Sequence, residues 1–158
     1  MIRDKINGAL REAVKDGDAT RIATLRLVLT ALRDRQYGRN RSLEEPDAAQ
    51  EDATLREILA TMVRQRRMQA VAYEEAGRLD LAAHEEAERQ ILEAFLPRPL
   101  GPKEIERAVE RAIWESGATG QRDLSRVMAL LRARHEGAMD FRATGKRVMA
   151  LLRAREGW

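Results

Sequence analysis

The residues able to act as nucleophiles, acids or bases are few and stand apart in this chain of 158 residues. There is no cysteine, and no serine lies in a Gly-x-Ser-x-Gly or Gly-Ser-Ser setting; the serines are Ser42, Ser116 and Ser125. A serine or cysteine nucleophile needs an adjacent base, but His84 and His135 each stand among charged residues with no identifiable partner. We therefore predict solvated histidines and no catalytic residue.

Acidic side chains could supply a different chemistry, the binding of a metal ion. Glu85, Glu86, Glu88 and Glu93 follow one another within one short segment. Di-metal helical bundles take Glu-x-x-His pairs from two helices, and that spacing is missing here. No glycine-rich phosphate loop is present either. The acidic segment therefore predicts a solvated helix face, and we expect neither a metal nor a cofactor.

Arginine is the residue type whose pattern indicates binding. Guanidinium groups make bidentate contacts with phosphates, and such contacts make affinity strongly salt-dependent. Basic residues in the C-terminal part are the first candidates for contact with nucleic acid or another partner: Arg126, Arg132, Arg134, Arg142, Lys146 and Arg147. A second group comprises Arg64, Arg66 and Arg67. The alternative is ordinary surface charge in helical salt bridges and, for the second group, packing against the acidic segment.

Charge is unevenly distributed although the net charge is only +3. Residues 1–42 carry ten basic and five acidic side chains, whereas residues 43–96 carry six and thirteen. Residues 120–158 carry nine and four. The two basic ends could compensate the acidic middle within the fold, or they could offer surfaces to a polyanion such as a nucleic acid.

The elements that must position these residues are predicted to be helices alone. Ala, Leu, Arg and Glu dominate the composition and aromatic residues make up only 4%, which is typical of an all-α protein without strands. Apolar spacing indicates about seven helices. The apolar faces are Ile22, Leu25, Leu29 and Leu32; Leu55, Ile58, Met62 and Val63; Ile105, Val109 and Ile113; Leu124, Val127, Met128 and Leu131; and Phe141, Val148, Leu151 and Leu152.

Helix ends are predicted from glycine, proline and aspartate. Asp18 is expected to cap the second helix and Pro46 to start a long third helix ending at Gly77. The polar segment 38–42 predicts a mobile loop. Scattered aromatic residues are expected to fill or cover the core; they are Tyr37, Tyr73, Trp114 and Trp158.

The segment 73–97 is the most informative of the chain. Gly77 suits a helix C-terminus, and Asp80, three residues later, suits the cap of the next helix. Pro97 and Pro99 then prevent the helix from continuing. We place a hinge there, between an N-terminal helical domain at 1–96 and a C-terminal three-helix domain at 97–158.

The chain resembles the YqeY family over nearly its full length. The motifs that carry the resemblance are Gln65-Arg66-Arg67, the run from Tyr73 to Ala82, Glu85, Glu88, Ile91-Leu92, Phe95-Leu96-Pro97, Gly117-Ala118, Asp123-Leu124, Arg126-Val127-Met128, Gly137 and Asp140. The chain departs from the family pattern where small glycines and a proline are usual; here these positions are Ser125, Ala129, Ala133 and Phe141.

The family is in turn similar to the C-terminal helical region and tail domain of the GatB component of the glutamine-dependent amidotransferase that acts on misacylated Glu-tRNA and Asp-tRNA. That resemblance implies an all-α fold, a tail-like C-terminal domain and a connection with tRNA or with a protein of the amidotransferase pathway.

Three hypotheses of function follow. The first is a non-catalytic helical adaptor that binds tRNA or a protein of that pathway. The second is an auxiliary component of a carbon–nitrogen ligase using glutamine as amide donor, in which another chain performs the chemistry. The third is a protein-interaction domain without an RNA role. Because no apolar signal core and no run of roughly 20 apolar residues is present, we expect a cytoplasmic protein without membrane contact. The sequence leaves the oligomeric state open.

Overall fold

The fold is built from helices. The computed structural model describes residues 1–39 and 46–157, and these form seven α-helices, one short 3-10 helix and no strand. The predicted all-α fold is therefore confirmed. The α-helices are α1 Ile2–Asp16, α2 Ala19–Arg39, α3 Ala48–Glu75, α4 Leu79–Glu93, α5 Pro102–Ser116, α6 Leu124–His135 and α7 Phe141–Glu156, and the 3-10 helix is Gln121–Asp123.

The chain divides into two compact units, Met1–Pro97 and Arg98–Trp158. The first contains α1 to α4 and the second contains α5 to α7. That residues 97–158 correspond to the family's tail domain stays a prediction. No helix in the described part of the chain is long and apolar enough to cross a bilayer.

The core of the first unit is formed by the apolar stripes that the sequence predicts on α2 and α3. Leu25 and Leu32 on α2 face Leu55 and Ile58 on α3, with all four side chains buried. Leu92 of α4 completes the same cluster. Asp18 accepts the backbone N–H of Arg21 and thereby caps α2, as predicted.

The corner between α3 and α4 is specified by Gly77. Its φ of +74° lies in the left-handed region that favours glycine, and the N–H of Arg78 returns to the carbonyl of Tyr73 at 2.8 Å. The predicted cap by Asp80 is wrong. Because α4 already begins at Leu79, Asp80 lies in its first turn and accepts no capping hydrogen bond.

The segment 38–42, predicted to be a mobile loop, begins within α2. Gly38 and Arg39 belong to that helix, so the prediction is wrong for these two residues. Asn40 to Ser42 lie outside the described residues. Helix α3 begins at Ala48, slightly later than the expected start at Pro46. Asp47 caps it by accepting the N–H of Gln50 at 2.8 Å.

The core of the second unit lies between α5, α6 and α7. Six buried aliphatic residues belong to both this core and the predicted stripes: Val109, Ile113, Val127, Leu131, Val148 and Leu152. Other predicted core residues there are partly buried; they are Ile105, Leu124, Phe141 and Leu151. The three stripes therefore meet in one core, as their spacing requires.

Candidate nucleic-acid interface

Helices α6 and α7 pack as an antiparallel pair, and two contacts fix their register. Met128 of α6 lies against Gly145 of α7, where an added Cβ would stand 3.7 Å from the methionine Cε. One turn further along α6, Arg132 lies over the ring of Phe141, with its Cζ 5.7 Å from the ring centroid. Arg132 comes one turn after Met128 along α6, whereas Phe141 comes one turn before Gly145 along α7. The two helices therefore run in opposite directions.

Arg132, Arg142 and Lys146 lie together on the outer side of this helix pair, and we call them the α6–α7 cation cluster. Arg142 directly follows Phe141, the residue beneath Arg132. Lys146 is one turn further along α7 than Arg142, so the two side chains share a face. All three are exposed. Neither Arg142 nor Lys146 has a side-chain hydrogen bond or ion pair within residues 1–39 and 46–157.

The other predicted cations of the second unit lie on different flanks and make internal ion pairs. Arg126 binds Asp123 at 2.8 Å within the same turn. Arg134 pairs with Glu115 of α5. Arg147 faces α5 and lies 3.1 Å from Glu106. The structure therefore brings together Arg132, Arg142 and Lys146, three of the six predicted residues of this group. The other three, Arg126, Arg134 and Arg147, form ion pairs elsewhere on the unit.

The balance of charge makes the α6–α7 side strongly basic. Helix α6 carries three arginines and no acidic residue, and α7 carries five basic side chains against Glu156 alone. Helix α5, in contrast, carries three basic and four acidic side chains. Because exposed charges act over about 10 Å at ordinary ionic strength, the positive potential of this unit concentrates beside α6 and α7.

Carboxylates around the three-helix unit are bound by donors that stabilise their ionised form. The hydrogen bond from Arg134 holds the pKa of Glu115 below its usual value. The backbone N–H of Thr119 does the same for the pKa of Asp123, and that of Gln121 for the pKa of Glu156. These groups remain negatively charged at neutral pH.

Arg64, Arg66 and Arg67 of α3 differ in environment. Arg66 is largely buried, with its Nε 2.8 Å from Glu88 Oε2 and its Nη1 3.6 Å from Glu85 Oε2. Arg67 binds Glu93 at 2.7 Å. Arg64 is exposed and donates to the hydroxyl of Thr61. Arg66 and Arg67 pack against the acidic helix α4, which is the alternative to a binding role for this group. A contact of Arg64, Arg66 or Arg67 with a partner stays a prediction.

The same ion pairs overturn one expectation about the acidic segment. Glu85 is only 8% exposed, and Glu88 is also largely buried because both carboxylates face Arg66. The predicted solvated face is therefore wrong for these two residues. Among the described residues no group of three or more His, Asp or Glu side chains could hold a metal ion.

The histidines lie in different surroundings. His84 is exposed and its Nε2 lies 2.9 Å from Glu88 Oε1. His135 is partly buried and lines a small pocket with Glu115 and Arg134. Among the described residues, no hydrogen bond joins either histidine to a serine hydroxyl.

Two aromatic residues contradict the prediction that they fill or cover the core. Trp114 is 80% exposed and Tyr37 is 75% exposed. Trp114 lies on the side of α5 opposite to the Val109 and Ile113 stripe, so the helix turns its indole into solvent. Helical spacing from those stripe residues could have revealed this. Tyr73 is partly buried, and Trp158 lies outside the described residues.

The sequence as a whole matches the family model of the Yqey-like proteins over residues 3–152. This chain belongs to the YqeY family. The match covers nearly the whole chain, so the resemblance drawn from the motifs is confirmed. No curated protein gives a significant match. Among the motif residues, Gly77, Gly117 and Gly137 adopt positive φ, and Glu85 and Glu88 pair with Arg66. These motif positions therefore have structural roles.

Proposed function

We propose that this YqeY-family protein is a non-catalytic helical adaptor that binds tRNA through the α6–α7 cation cluster. The observation that carries the proposal is the position of Arg142 and Lys146, which are exposed beside Arg132 and make no ion pair with the described part of the chain. Side chains that are already paired must break a contact to reach a phosphate, whereas these two need not.

The surroundings of the cluster suit a phosphate backbone. Ser125, Ala129 and Ala133 lie on the outer side of α6 and are exposed. Their small side chains allow a polyanion to approach the helix closely. Arg132 lies over the ring of Phe141. This contact already restricts the side-chain rotamers of Arg132, so phosphate binding costs less conformational entropy. The choice of tRNA among nucleic acids rests on the similarity of the family to the tail domain of the amidotransferase component GatB.

Titration of labelled tRNA, with an unrelated RNA of equal length in parallel, tests the proposal. The variant Arg132→Glu/Arg142→Glu/Lys146→Glu is expected to lose at least about tenfold in tRNA affinity, since three phosphate contacts become repulsions. The matched control is Lys5→Glu/Arg11→Glu/Lys15→Glu on α1, which changes the net charge by the same amount.

Three results would contradict the proposal. Equal tRNA affinity of the wild type and the cluster variant would show that RNA does not bind through the α6–α7 cation cluster. Equal affinity of the wild type for tRNA and for the unrelated RNA would show that binding is not specific for tRNA. Glutaminase activity of the purified chain would contradict its non-catalytic role.

A further inference from the structure

The C-terminal half of α3 packs along a single face. Within the segment 64–75, the residues that are not exposed are Arg66, Ala70 and Tyr73. They follow one another at spacings of four and three positions, so they share one side of the helix. The ion pairs of Arg66 place that side against α4. The remaining surface of this segment is therefore open in the described part of the chain.

Four exposed residues lie in a line on the side of this segment that is turned away from α4. Their spacing of four, three and four positions is that of the contact positions in a coiled coil. The line lies about 130° around the helix axis from Ala70 and is about 17 Å long. We call these residues the α3 stripe: Arg64, Met68, Val71 and Glu75.

The middle of the α3 stripe is apolar. Met68 is 73% exposed and Val71 is 53% exposed. The two residues are three positions apart, so their side chains adjoin on the helix surface. Covering both of them with a second helix would remove apolar surface from water and would stabilise the contact.

The ends of the α3 stripe carry opposite charges. Arg64 donates to the hydroxyl of Thr61 and makes no ion pair with the described residues. Glu75 has no side-chain hydrogen bond or ion pair within residues 1–39 and 46–157. Glu75 is also the last residue of α3, where the helix dipole disfavours a carboxylate. A basic residue brought to Glu75 would therefore stabilise this helix end.

The α3 stripe is complementary to itself when a second copy runs antiparallel to it. Positions 64 and 75 are equally distant from the centre between residues 69 and 70, and so are positions 68 and 71. A two-fold axis at that centre places Arg64 opposite Glu75 of the second copy, and each such contact forms twice. It also places Met68 opposite Val71. A parallel arrangement would instead place each charge opposite an identical charge.

We propose that the protein forms a homodimer in which the α3 stripes of two copies pack antiparallel. The stripe itself identifies the occupant, since its order of basic, apolar, apolar and acidic residues supplies the matching surface in the second copy. Antiparallel packing also places the cores of the two first units at opposite ends of the helix pair, because Leu55, Ile58 and Val63 precede the stripe.

The contact is small, so we expect a weak dimer with a dissociation constant above about 10 μM. The proposal goes beyond tRNA binding and does not depend on it. The α3 stripe belongs to the first unit, whereas the α6–α7 cation cluster belongs to the second.

Sedimentation velocity between about 10 μM and 1 mM protein tests the proposal. Val71→Lys should raise the dissociation constant of the dimer at least about tenfold, because a symmetric contact contains the substituted residue twice. Val14→Lys on α1 is the matched control, since Val14 is also 53% exposed and the substitution adds the same charge. The control should retain the dissociation constant of the wild type.

Charge exchange tests the antiparallel arrangement. Arg64→Glu and Glu75→Arg each place like charges opposite one another at both ends, so each should raise the dissociation constant at least about fivefold. The double variant Arg64→Glu/Glu75→Arg should restore it, because opposite charges meet again. An equimolar mixture of the two single variants should associate as a heterodimer. Such restoration would also show that the single variants are folded.

Four results would overturn the homodimer. They are a wild type that is monomeric at about 1 mM, equal dissociation constants for Val71→Lys and Val14→Lys, no restoration by the double exchange, and loss of tRNA affinity in Arg64→Glu without a change in self-association. The last result would assign Arg64 to RNA. Equal tRNA affinity of the wild type and the cluster variant would leave the sedimentation results unchanged, so the two proposals fail separately.

Discussion

Arg66 is the residue on which the contact between α3 and α4 most depends. Its side chain is 17% exposed, and its guanidinium lies against the carboxylates of Glu85 and Glu88. Nε of Arg66 and Oε2 of Glu85 are buried, and neither makes a hydrogen bond with the described residues, so these contacts are ion pairs. The arginine therefore compensates charge at a place that water hardly reaches, and removing it leaves two carboxylates without a counter-charge.

We expect Arg66→Met to lower the free energy of unfolding by about 2 kcal/mol, less than for a fully buried pair because the site retains some solvent. Methionine keeps most of the apolar stem, so the loss reports the charge. Adding Glu85→Gln should recover part of the loss. Urea denaturation measures both effects.

Arg64→Met is the matched control, since Arg64 is exposed two positions away and, among the described residues, makes a side-chain hydrogen bond to Thr61 alone. Its effect should stay within about 0.5 kcal/mol, as for ordinary surface substitutions. Equal destabilisation by the two single substitutions would show that the ion pairs of Arg66 contribute nothing specific.

At the scale of the element, the start of α7 depends on Asp140. Its Oδ1 accepts the backbone N–H groups of Arg142 and Ala143 at 2.9 and 3.2 Å. Asp140→Ala should cost about 1 kcal/mol of unfolding free energy, the usual effect of losing such a cap. Asp80→Ala should change it by less than about 0.5 kcal/mol, because Asp80 accepts no capping hydrogen bond in the described part of the chain and its contact with Arg78 is exposed. A larger loss for Asp80 than for Asp140 would contradict this view of the helix starts.

The sequence predicts elements and their buried faces better than it predicts partners of charged residues. The Val109 and Ile113 stripe is buried as expected because burial follows helical period, which is a local property. Asp80 fails as a cap because α4 begins at Leu79, two residues before the start that an Asp80 cap requires, so the capping position falls on Arg78. The burial of Glu85 depends on Arg66, which is distant in sequence, so no local pattern shows it.

The candidate site follows the same division. Sequence counts show that the end of the chain is basic. They cannot tell that Arg134 and Arg147 bind carboxylates of α5, or that Arg142 and Lys146 make no ion pair with the described residues. The difference arises because Arg134 of α6 and Arg147 of α7 lie on the sides of their helices that face α5. Arg134 is there close to Glu115, and Arg147 is close to Glu106. Tertiary packing therefore pairs Arg134 and Arg147, whereas the pair of Arg126 with Asp123, three positions earlier, is local.

At the scale of the whole molecule, stability should fall in acid. Donors hold the pKa values of five carboxylates below their ordinary values: Glu86, Glu104, Glu115, Asp123 and Glu156. Because the unfolded chain binds these protons more readily, the stabilisation is complete above the unfolded pKa of about 4 and is lost as pH falls through the lower folded pKa values.

Urea midpoints measured between about pH 7 and pH 3 should therefore decline below about pH 4. High salt should reduce the part of the decline that comes from the arginine pairs of Glu86, Glu104 and Glu115, because salt screens such pairs. A Glu115→Gln/Glu156→Gln variant should show a smaller decline than the wild type. Stability that rises as pH falls from 5 to 3 would contradict the assigned hydrogen bonds and ion pairs of these carboxylates.

The salt dependence of tRNA affinity tests the central claim most directly. Each phosphate contact contributes about 0.9 to the slope of log affinity against log salt concentration. The Arg132→Glu/Arg142→Glu/Lys146→Glu variant should therefore have a slope shallower than the wild type by about 3, while the α1 control variant should keep the wild-type slope. Identical slopes for the wild type and the cluster variant would contradict tRNA binding by the α6–α7 cation cluster.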